Sequence, residues 1–309
     1  MQILNSVVPI FLIIGLGIGA RKWNLITPEF LRPANKLVYY IAIPAFLFNA
    51  VIRGNPGDHF DPAATCLTLL CSGGLYFSAH LLSKALLLPG RNAGAFILSS
   101  VHGNLGYFGL PVVYYYLGEE SLGVAAIVCG FLMILQNTLS VLFLQLHAGS
   151  VPASGNSRVW TILSKLRKNP VILSVASGIA FSSTGIDLPV IIDRTLRSLG
   201  ALAPPLALLL IGASLSFPLI RVHFRLSAIA GLVKLFVLPL VGLLVFSLFH
   251  VAPVYRKAAL ILLAAPTATI TYILANEMDS EPDLTVAAIS LSTLLSCISY
   301  PIWLACLEL

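Results

Sequence analysis

The sequence predicts an all-α polytopic membrane protein. Its ten transmembrane helices are expected to form two inverted five-helix repeats, with broken helices four and nine crossing each other. Three observations predict this. First, 58% of the 309 residues are hydrophobic, 10% are charged and the mean hydropathy is +0.95, whereas soluble chains carry about 25% charged residues. Second, ten apolar stretches approach the ~20 residues that a helix needs to cross a bilayer. Third, short motifs of the first half return in the second at a nearly constant offset, and one stretch in each half is interrupted at a corresponding place.

In chain order, the first span is 4–20. The N-terminus lacks the basic region and small-residue cleavage site of a signal peptide, so this span is expected to stay in the membrane. The second, 34–52, carries Pro44 in IAIPAFLF, which kinks it and, with Phe48, walls a cavity. Spans three to five are 63–87, 93–117 and 121–146. A polar, basic connector at 149–168 links the halves, so that 1–148 is the first repeat and 169–309 the second. The remaining spans are 169–185, 195–217, 226–249, 257–276 and 284–307, with Pro204-Pro205 kinking the seventh.

Lysines and arginines orient the chain. With the N-terminus outside, the inner side collects 12 (Arg21, Lys22, Arg32, Lys36, Lys84, Arg91, Arg158, Lys165, Arg167, Lys168, Arg221, Arg225) and the outer side five (Arg53, Arg194, Arg197, Arg256, Lys257). The positive-inside rule therefore places both termini outside. The net charge of +6 reads as this loop bias rather than as affinity for nucleic acid. The five cysteines (Cys66, Cys71, Cys129, Cys297, Cys306) lie in apolar stretches without a CxxC pair, which supports neither a disulfide framework nor a zinc site.

The halves repeat each other. Pro9, Gly17 and Ile18 recur as Pro170, Gly178 and Ile179, Pro44 as Pro204, and Arg91-Asn-Ala as Arg256-Lys-Ala. VAAI at 124–127 returns letter for letter at 286–289, and the offsets stay between 160 and 165. Five spans per half is an odd number, so the second half must enter the membrane upside down, as in inverted-repeat transporters.

Two spans are interrupted. In 91–118, His102, Gly103, Asn104, Gly106, Gly109 and Pro111 fall within ten positions. Glycine weakens a helix interior by roughly 1 kcal/mol relative to alanine, and proline removes a donor. In 256–279, Pro266 is followed by Thr267, Thr269 and Thr271, and Tyr272 corresponds to Tyr107. Taken alone, Pro266 also reads as a kink whose freed carbonyls are satisfied by threonine hydroxyls. The pair of breaks points to a crossing at a transport site. Half-helices that start at a break turn their N-termini toward mid-membrane, where unpaired N–H groups carry about half a positive charge. Pro111 just inside a helix start, and Thr267 or Thr269 as N-cap, suit that geometry. A carboxylate is the natural guest, held by Asn104 with N–H groups after Gly106 and around Thr267 to Thr269. No Asp or Glu lies deep in a predicted span, so the expectation is an anionic substrate, with no metal and no cofactor.

Lys234 is the one clearly intramembrane charge and a candidate for charge or coupling; a lysine there can also snorkel or bond to helix carbonyls. His102 is a candidate for attracting the anion or relaying a proton, against the commoner case of a neutral histidine bonded within the bundle. Gln136 and Asn137 read as amides that join helices, and Tyr114 to Tyr116 as anchors at the outer interface. Enzyme chemistry is not expected, because HExxH, GxSxG and Walker-type loops are missing.

These residues carry a resemblance to the auxin efflux carrier family, which includes plant PIN-type auxin exporters and bacterial carriers named as malate or malonate permeases. Its most specific pieces are Asn104-x4-Gly109-x-Pro111, and Ala265-Pro266 followed by Ala275-Asn276-Glu277 and Pro282-Asp283; Asn169-Pro170 and Pro44 also fit. The resemblance covers essentially the whole length. It implies the fold of the bile-acid sodium symporters, with broken helices four and nine crossing at the substrate site. Two helices per repeat then form a scaffold, and the other three move as an elevator. It places Asn104 against the substrate carboxylate, and Pro111 and Pro266 at the breaks. Thr271 stands where plant members have a second proline, so their aromatic auxin pocket is not carried over. The missing long central loop suggests a bacterial-type member. The expected function is secondary active transport of a small carboxylate such as malate or malonate, in the bacterial inner membrane, with an auxin-like acid a weaker candidate. Expected partners are that anion, the lipid bilayer and a second copy of the chain in a homodimer, and no nucleic acid. The alternative is a membrane ligand sensor that uses the same crossing without transport.

Overall fold

The computed structural model describes residues 1–53, 60–147 and 169–308. The connector at 149–168, with Arg158, Lys165, Arg167 and Lys168 of the orientation argument, lies outside the described residues. Among the described residues the protein is all-α, and its β pairing is confined to one isolated antiparallel bridge between Gly103 and Thr267.

Helix α1 is Gln2–Lys22, and α2 is Pro28–Leu37, followed by a π turn at Val38–Ala42 and by α3, Ile43–Ile52. Together α2 and α3 form one span that starts six residues before the predicted 34–52. The Thr27 hydroxyl accepts from the Phe30 N–H at 3.4 Å, and Pro28 sits in the first turn. Capping by Thr27 and the pre-set φ of proline start a helix in a stretch too polar for hydropathy to detect. Asp61 likewise opens α4, Pro62–Ala85, where its carboxylate accepts from the N–H groups of Ala63 (2.8 Å) and Ala64 (3.0 Å). Then come α5, Gly90–Val101; a π turn, Leu105–Gly109; α6, Leu110–Leu117; and α7, Leu122–His147.

Asn169 caps α8, Pro170–Ser182, through the Val171 N–H at 2.9 Å. The predicted seventh span becomes α9, Val190–Ala201, and α10, Ala203–Ser214, divided at Leu202 next to Pro204-Pro205. The rest comprises α11, Phe217–Val222; α12, Phe224–Leu232; a π turn, Val233–Val237; α13, Leu238–Leu248; α14, Pro253–Leu263; α15, Ile270–Glu277; and α16, Pro282–Cys306.

Among the described residues, seven segments are long and apolar enough to cross a membrane: Ile3–Lys22, Pro28–Ile52, Pro62–Ala85, Glu119–His147, Val190–Ser214, Phe224–Leu248 and Pro282–Cys306. The other three predicted spans correspond to the shorter apolar helix Pro170–Ser182 and to the two divided stretches, α5 with α6 and α14 with α15. Leu12 and Leu16 are 64% and 62% exposed, the inside-out apolarity of a lipid-facing surface.

Without a hydrophobic drive between helices in lipid, close backbone approach at small residues supplies the packing. Helix α1 meets α10 at Gly17 and Gly212, where an added Cβ would overlap the carbonyl oxygens of Leu209 and Ile14 respectively. Helix α8 meets α3 at Gly178, whose added Cβ would lie 3.0 Å from Val51 Cβ and 3.5 Å from the Phe48 carbonyl oxygen. Gly17 and Gly178 are 161 residues apart, and so are the Phe48 and Leu209 carbonyls that face them in the opposite pairing. The core surrounds the divided helices: Ile97, Val101, Phe108, Leu260 and Leu262 are fully buried, and Phe108 stacks on Tyr300 with ring centroids 5.4 Å apart.

Candidate functional site

Helix α5 stops because the backbone turns extended at His102 (φ −68°, ψ 102°) and Asn104 then starts a new turn. The Asn104 side-chain oxygen accepts from the Tyr107 N–H at 3.3 Å. Its carbonyl accepts from the N–H groups of Phe108 (3.1 Å) and Gly109 (3.0 Å). In the other half, α14 stops at Leu263 and α15 begins at Ile270. The two unwound segments run antiparallel and bond to each other. The Asn104 N–H donates to the Pro266 carbonyl (2.7 Å), and the Ala268 N–H to the His102 carbonyl (2.9 Å). Backbone freed from helix in a dry environment has found its partner in the other break, which answers the demand that every buried N–H and C=O be satisfied.

Side chains close the remaining valences. The Gly103 N–H donates to Gln136 Oε1 on α7 (3.2 Å), and the Thr267 N–H to Ser292 Oγ on α16 (3.1 Å). The Thr267 hydroxyl donates to the Ser99 carbonyl (2.7 Å), and that of Thr271 to the Ala268 carbonyl (2.7 Å). His102 Nδ1 pairs with Ser140 Oγ at 2.8 Å, and Ser140 pairs with the Tyr76 hydroxyl at 2.9 Å. Lys234 Nζ donates to the Leu263 carbonyl (2.6 Å) from the π turn Val233–Val237. Among the described residues, Lys234 is the one acidic or basic side chain, histidine aside, that is fully buried, and no carboxylate joins it.

His102, Asn104, Pro266, Thr267 and Lys234 therefore meet at the bridge. Gly106 is buried nearby, with room for a methyl group about to touch Met133 Cε (3.4 Å) and Ile43 Cδ1 (3.5 Å). Pro44, half-buried, follows Ile43 at the start of α3. Pro111 is buried at the second position of α6. Because the π turn runs directly into α6, the helix starts at Leu105, earlier than a Pro111 start implies. Thr269 takes the N-cap position of α15 without a side-chain cap, and Thr267 lies in the bridge instead.

The donors also sort differently from expectation. The N–H groups of Thr267 and Ala268 are spent within the protein. Among the described residues, no bond across the crossing takes those of Gly106, Thr269 or Ile270. Among the buried groups left without a partner among the described residues are Asn104 Nδ2, on a residue only 5% exposed, and the Ser99 hydroxyl at the end of α5; of these two, the amide N–H can act only as a donor. An unpartnered amide N–H can donate to a carboxylate oxygen.

Several roles change. Gln136 reaches the crossing, whereas the Asn137 amide donates to the Met133 carbonyl of its own helix (2.8 Å). Tyr116 is no surface anchor: it is buried, and its hydroxyl donates to Glu308 Oε1 at 3.0 Å. Tyr107 donates to the Asn35 carbonyl (3.0 Å), while its counterpart Tyr272 is 43% exposed, so the sequence match does not extend to environment. Ser140, Ser292 and Tyr76 are missed by sequence reasoning. The signal available for one of them was the run Ser290, Ser292, Thr293, Ser296, Ser299, all buried on α16. Away from the crossing, His223, Glu281 and Asp283 bring ligand atoms within 4.8 Å of one another, a grouping that surface acids commonly form without an ion.

A family profile described as membrane transport protein matches residues 2–304. An uncharacterized transporter of Methanocaldococcus jannaschii is 23% identical over 306 residues, covering 97% of each chain. A protein of Rhizobium meliloti, named as a proposed malonate transporter, is 27% identical over 306 residues, covering 96% of this chain and 92% of the relative. An uncharacterized transporter of Escherichia coli is 22% identical over 308 residues, covering 97% and 96%.

Proposed function

The chain belongs to the membrane transport protein family, which is the auxin efflux carrier family of the resemblance above, and from that premise we propose that it is a secondary carrier of a small organic anion. It is an integral membrane protein, with seven segments able to span among the described residues. The substrate class is a carboxylate such as malate or malonate, the latter favoured by the name of the Rhizobium meliloti relative. The carrying observation is the unpartnered Asn104 Nδ2 at the crossing, in a buried region whose one acidic or basic side chain besides histidine is Lys234. A buried donor without a partner costs about 1–3 kcal/mol, and a carboxylate would recover it. Gly106, Pro44, Pro111, Pro266, Thr267, Thr269, Thr271 and His102 complete the site as walls and backbone formers, with Lys234 supplying positive potential.

The architecture that goes with this reading is ten spans in two inverted repeats, 1–148 and 169–309, joined by the connector 149–168. Helices four and nine are α5 with α6 and α14 with α15. The reciprocal pairing of α1 with α10 and α8 with α3, at Gly17 and Gly178, supports a two-fold relation between the halves. Those helices form the scaffold, and the elevator carries the crossing with α4, α7, α12, α13 and α16. The protein sits as a homodimer in a bacterial inner membrane with both termini outside. The sensor alternative has no observation in its favour.

Flux of labelled malate, malonate and indole-acetate into liposomes holding the purified chain tests this, under an imposed potential and under proton or sodium gradients. One dicarboxylate should move, and Asn104→Ala should lower its flux at least about tenfold, the loss expected when one charge-assisted hydrogen bond worth ~1.5–3 kcal/mol disappears. A folded wild type that moves no carboxylate under any gradient overturns the reading.

A further inference from the structure

Lys234 has a second part in the crossing, separable from attracting the substrate. A helix leaves its last four carbonyls without intrahelical partners, and at α14 all four can be followed. The Leu260 carbonyl accepts from the Ala264 N–H (2.9 Å) and that of Leu262 from the Ala265 N–H (3.2 Å). The Ile261 carbonyl accepts from the Tyr300 hydroxyl (3.0 Å). The fourth, Leu263, has the Lys234 ammonium at 2.6 Å. This is the negative end of a half-helix dipole pointing into the middle of the membrane, and such unwound carbonyl ends are where transporters hold small cations. Here a lysine amino group already takes that place, covalently attached.

The surroundings are shaped to keep it there. Pro239 lacks the N–H that would bond the Leu235 carbonyl, and that carbonyl accepts instead from the Trp303 indole at 2.6 Å. The freed turn opens into the π turn that carries Lys234, a helix irregularity frequent at functional sites. Opposite, an added Cβ on Gly103 would lie 3.2 Å from both Lys234 Cε and Nζ, so the residue with no side chain is the one against which the lysine lies. Among the described residues no buried carboxylate competes for the ammonium.

We propose that Lys234 is a tethered substitute for a coupling cation, filling the carbonyl mouth of α14 so that the crossing functions without a bound alkali ion. This rests on the crossing being the transport site, and it adds what that reading leaves open, namely independence from sodium. Removing the side chain leaves a cavity that small free cations can enter.

The test is thermal melting of the full chain in choline, sodium and methylammonium chloride at equal ionic strength, without substrate. Wild type should melt at one temperature in all three. Lys234→Ala should melt lower in choline, by about 5 °C or more, and methylammonium or sodium should restore it saturably. Lys234→Ala melting alike in all three salts, or wild type showing saturable stabilisation by sodium, overturns the proposal. Should the alanine variant not fold, Lys234→Gln keeps a donor for Leu263 and loses only the charge. It should melt below wild type in choline, and a melting temperature equal to wild type in every salt also overturns the proposal. Flux separates the two readings. A wild type that moves no carboxylate but keeps the salt pattern defeats the transport reading alone; carboxylate flux without the pattern defeats the tethered cation alone.

Discussion

At Thr267 one residue ties the break to two helices: its hydroxyl donates to the Ser99 carbonyl at the end of α5 (2.7 Å), while its backbone N–H donates to Ser292 on α16 (3.1 Å). Thr267→Val keeps the shape and strands the Ser99 carbonyl, so it should lower stability by about 1 kcal/mol, the modest scale of hydrogen bonds between membrane helices. Thr267→Ser should stay near wild type, and melting of both in detergent checks the pair. Gly103→Ala acts on the same few ångströms from the other side, because its methyl group would press on the Lys234 ammonium at 3.2 Å. It should slow anion flux more than Gly106→Ala, whose methyl group meets only the flexible ends of Met133 and Ile43 at 3.4 and 3.5 Å. Equal flux in the two variants would show that the contact with Lys234 is without consequence. The positions of Asn104, Pro266 and Lys234 were legible in the sequence because glycine, proline and an isolated charge are anomalies in an apolar run. What they bond to was not.

Among the elements, α1 and α10 approach so closely that a Cβ at Gly17 has no space beside the Leu209 carbonyl. Gly17→Leu should therefore force the helices apart and cost about 2 kcal/mol or more. Gly15→Leu, two residues away where an added Cβ meets nothing within 4 Å, should be close to neutral. Thermal melting of the two variants side by side gives the comparison directly. Sequence reading found Gly17 and Gly178 as repeated letters, without their role as contact points. It also began the second span at 34 instead of Pro28, because hydropathy averages over a polar first turn that a threonine cap and a proline stabilise locally.

For the whole molecule, the elevator reading requires the crossing to move against α1, α3, α8 and α10. Among the described residues one ion pair spans that boundary: Arg53 at the end of α3 pairs with Glu119 beyond α6 at 2.9 Å. The pair is exposed and of little energetic weight, yet it marks where the two parts touch. Cysteines at 53 and 119, joined by a short bifunctional thiol reagent in a background free of native cysteines, should stop flux. A cleavable linker should restore it on reduction. The same linkage at 91 and 279, where Arg91 and Asp279 pair at 3.3 Å within the proposed moving part, should leave flux unchanged. Flux that survives the first linkage would rule out movement across that boundary.

By itself, the sequence determined the all-helical membrane class, and it marked the glycines and the proline around which helix stops in two apolar stretches. These follow from properties that act locally: hydropathy over about 20 residues, the missing N–H of Pro266 and the weak helix propensity of the glycines around Asn104. Only the tertiary structure decided that the two breaks bond to each other. It likewise decided that Gln136 and Ser292 take their spare donors, and that Lys234 closes the end of a helix whose last carbonyl lies 29 residues away in the chain. In a low-dielectric interior every backbone group must find a partner, but which partner depends on how distant helices pack, and neither composition nor spacing contains that information.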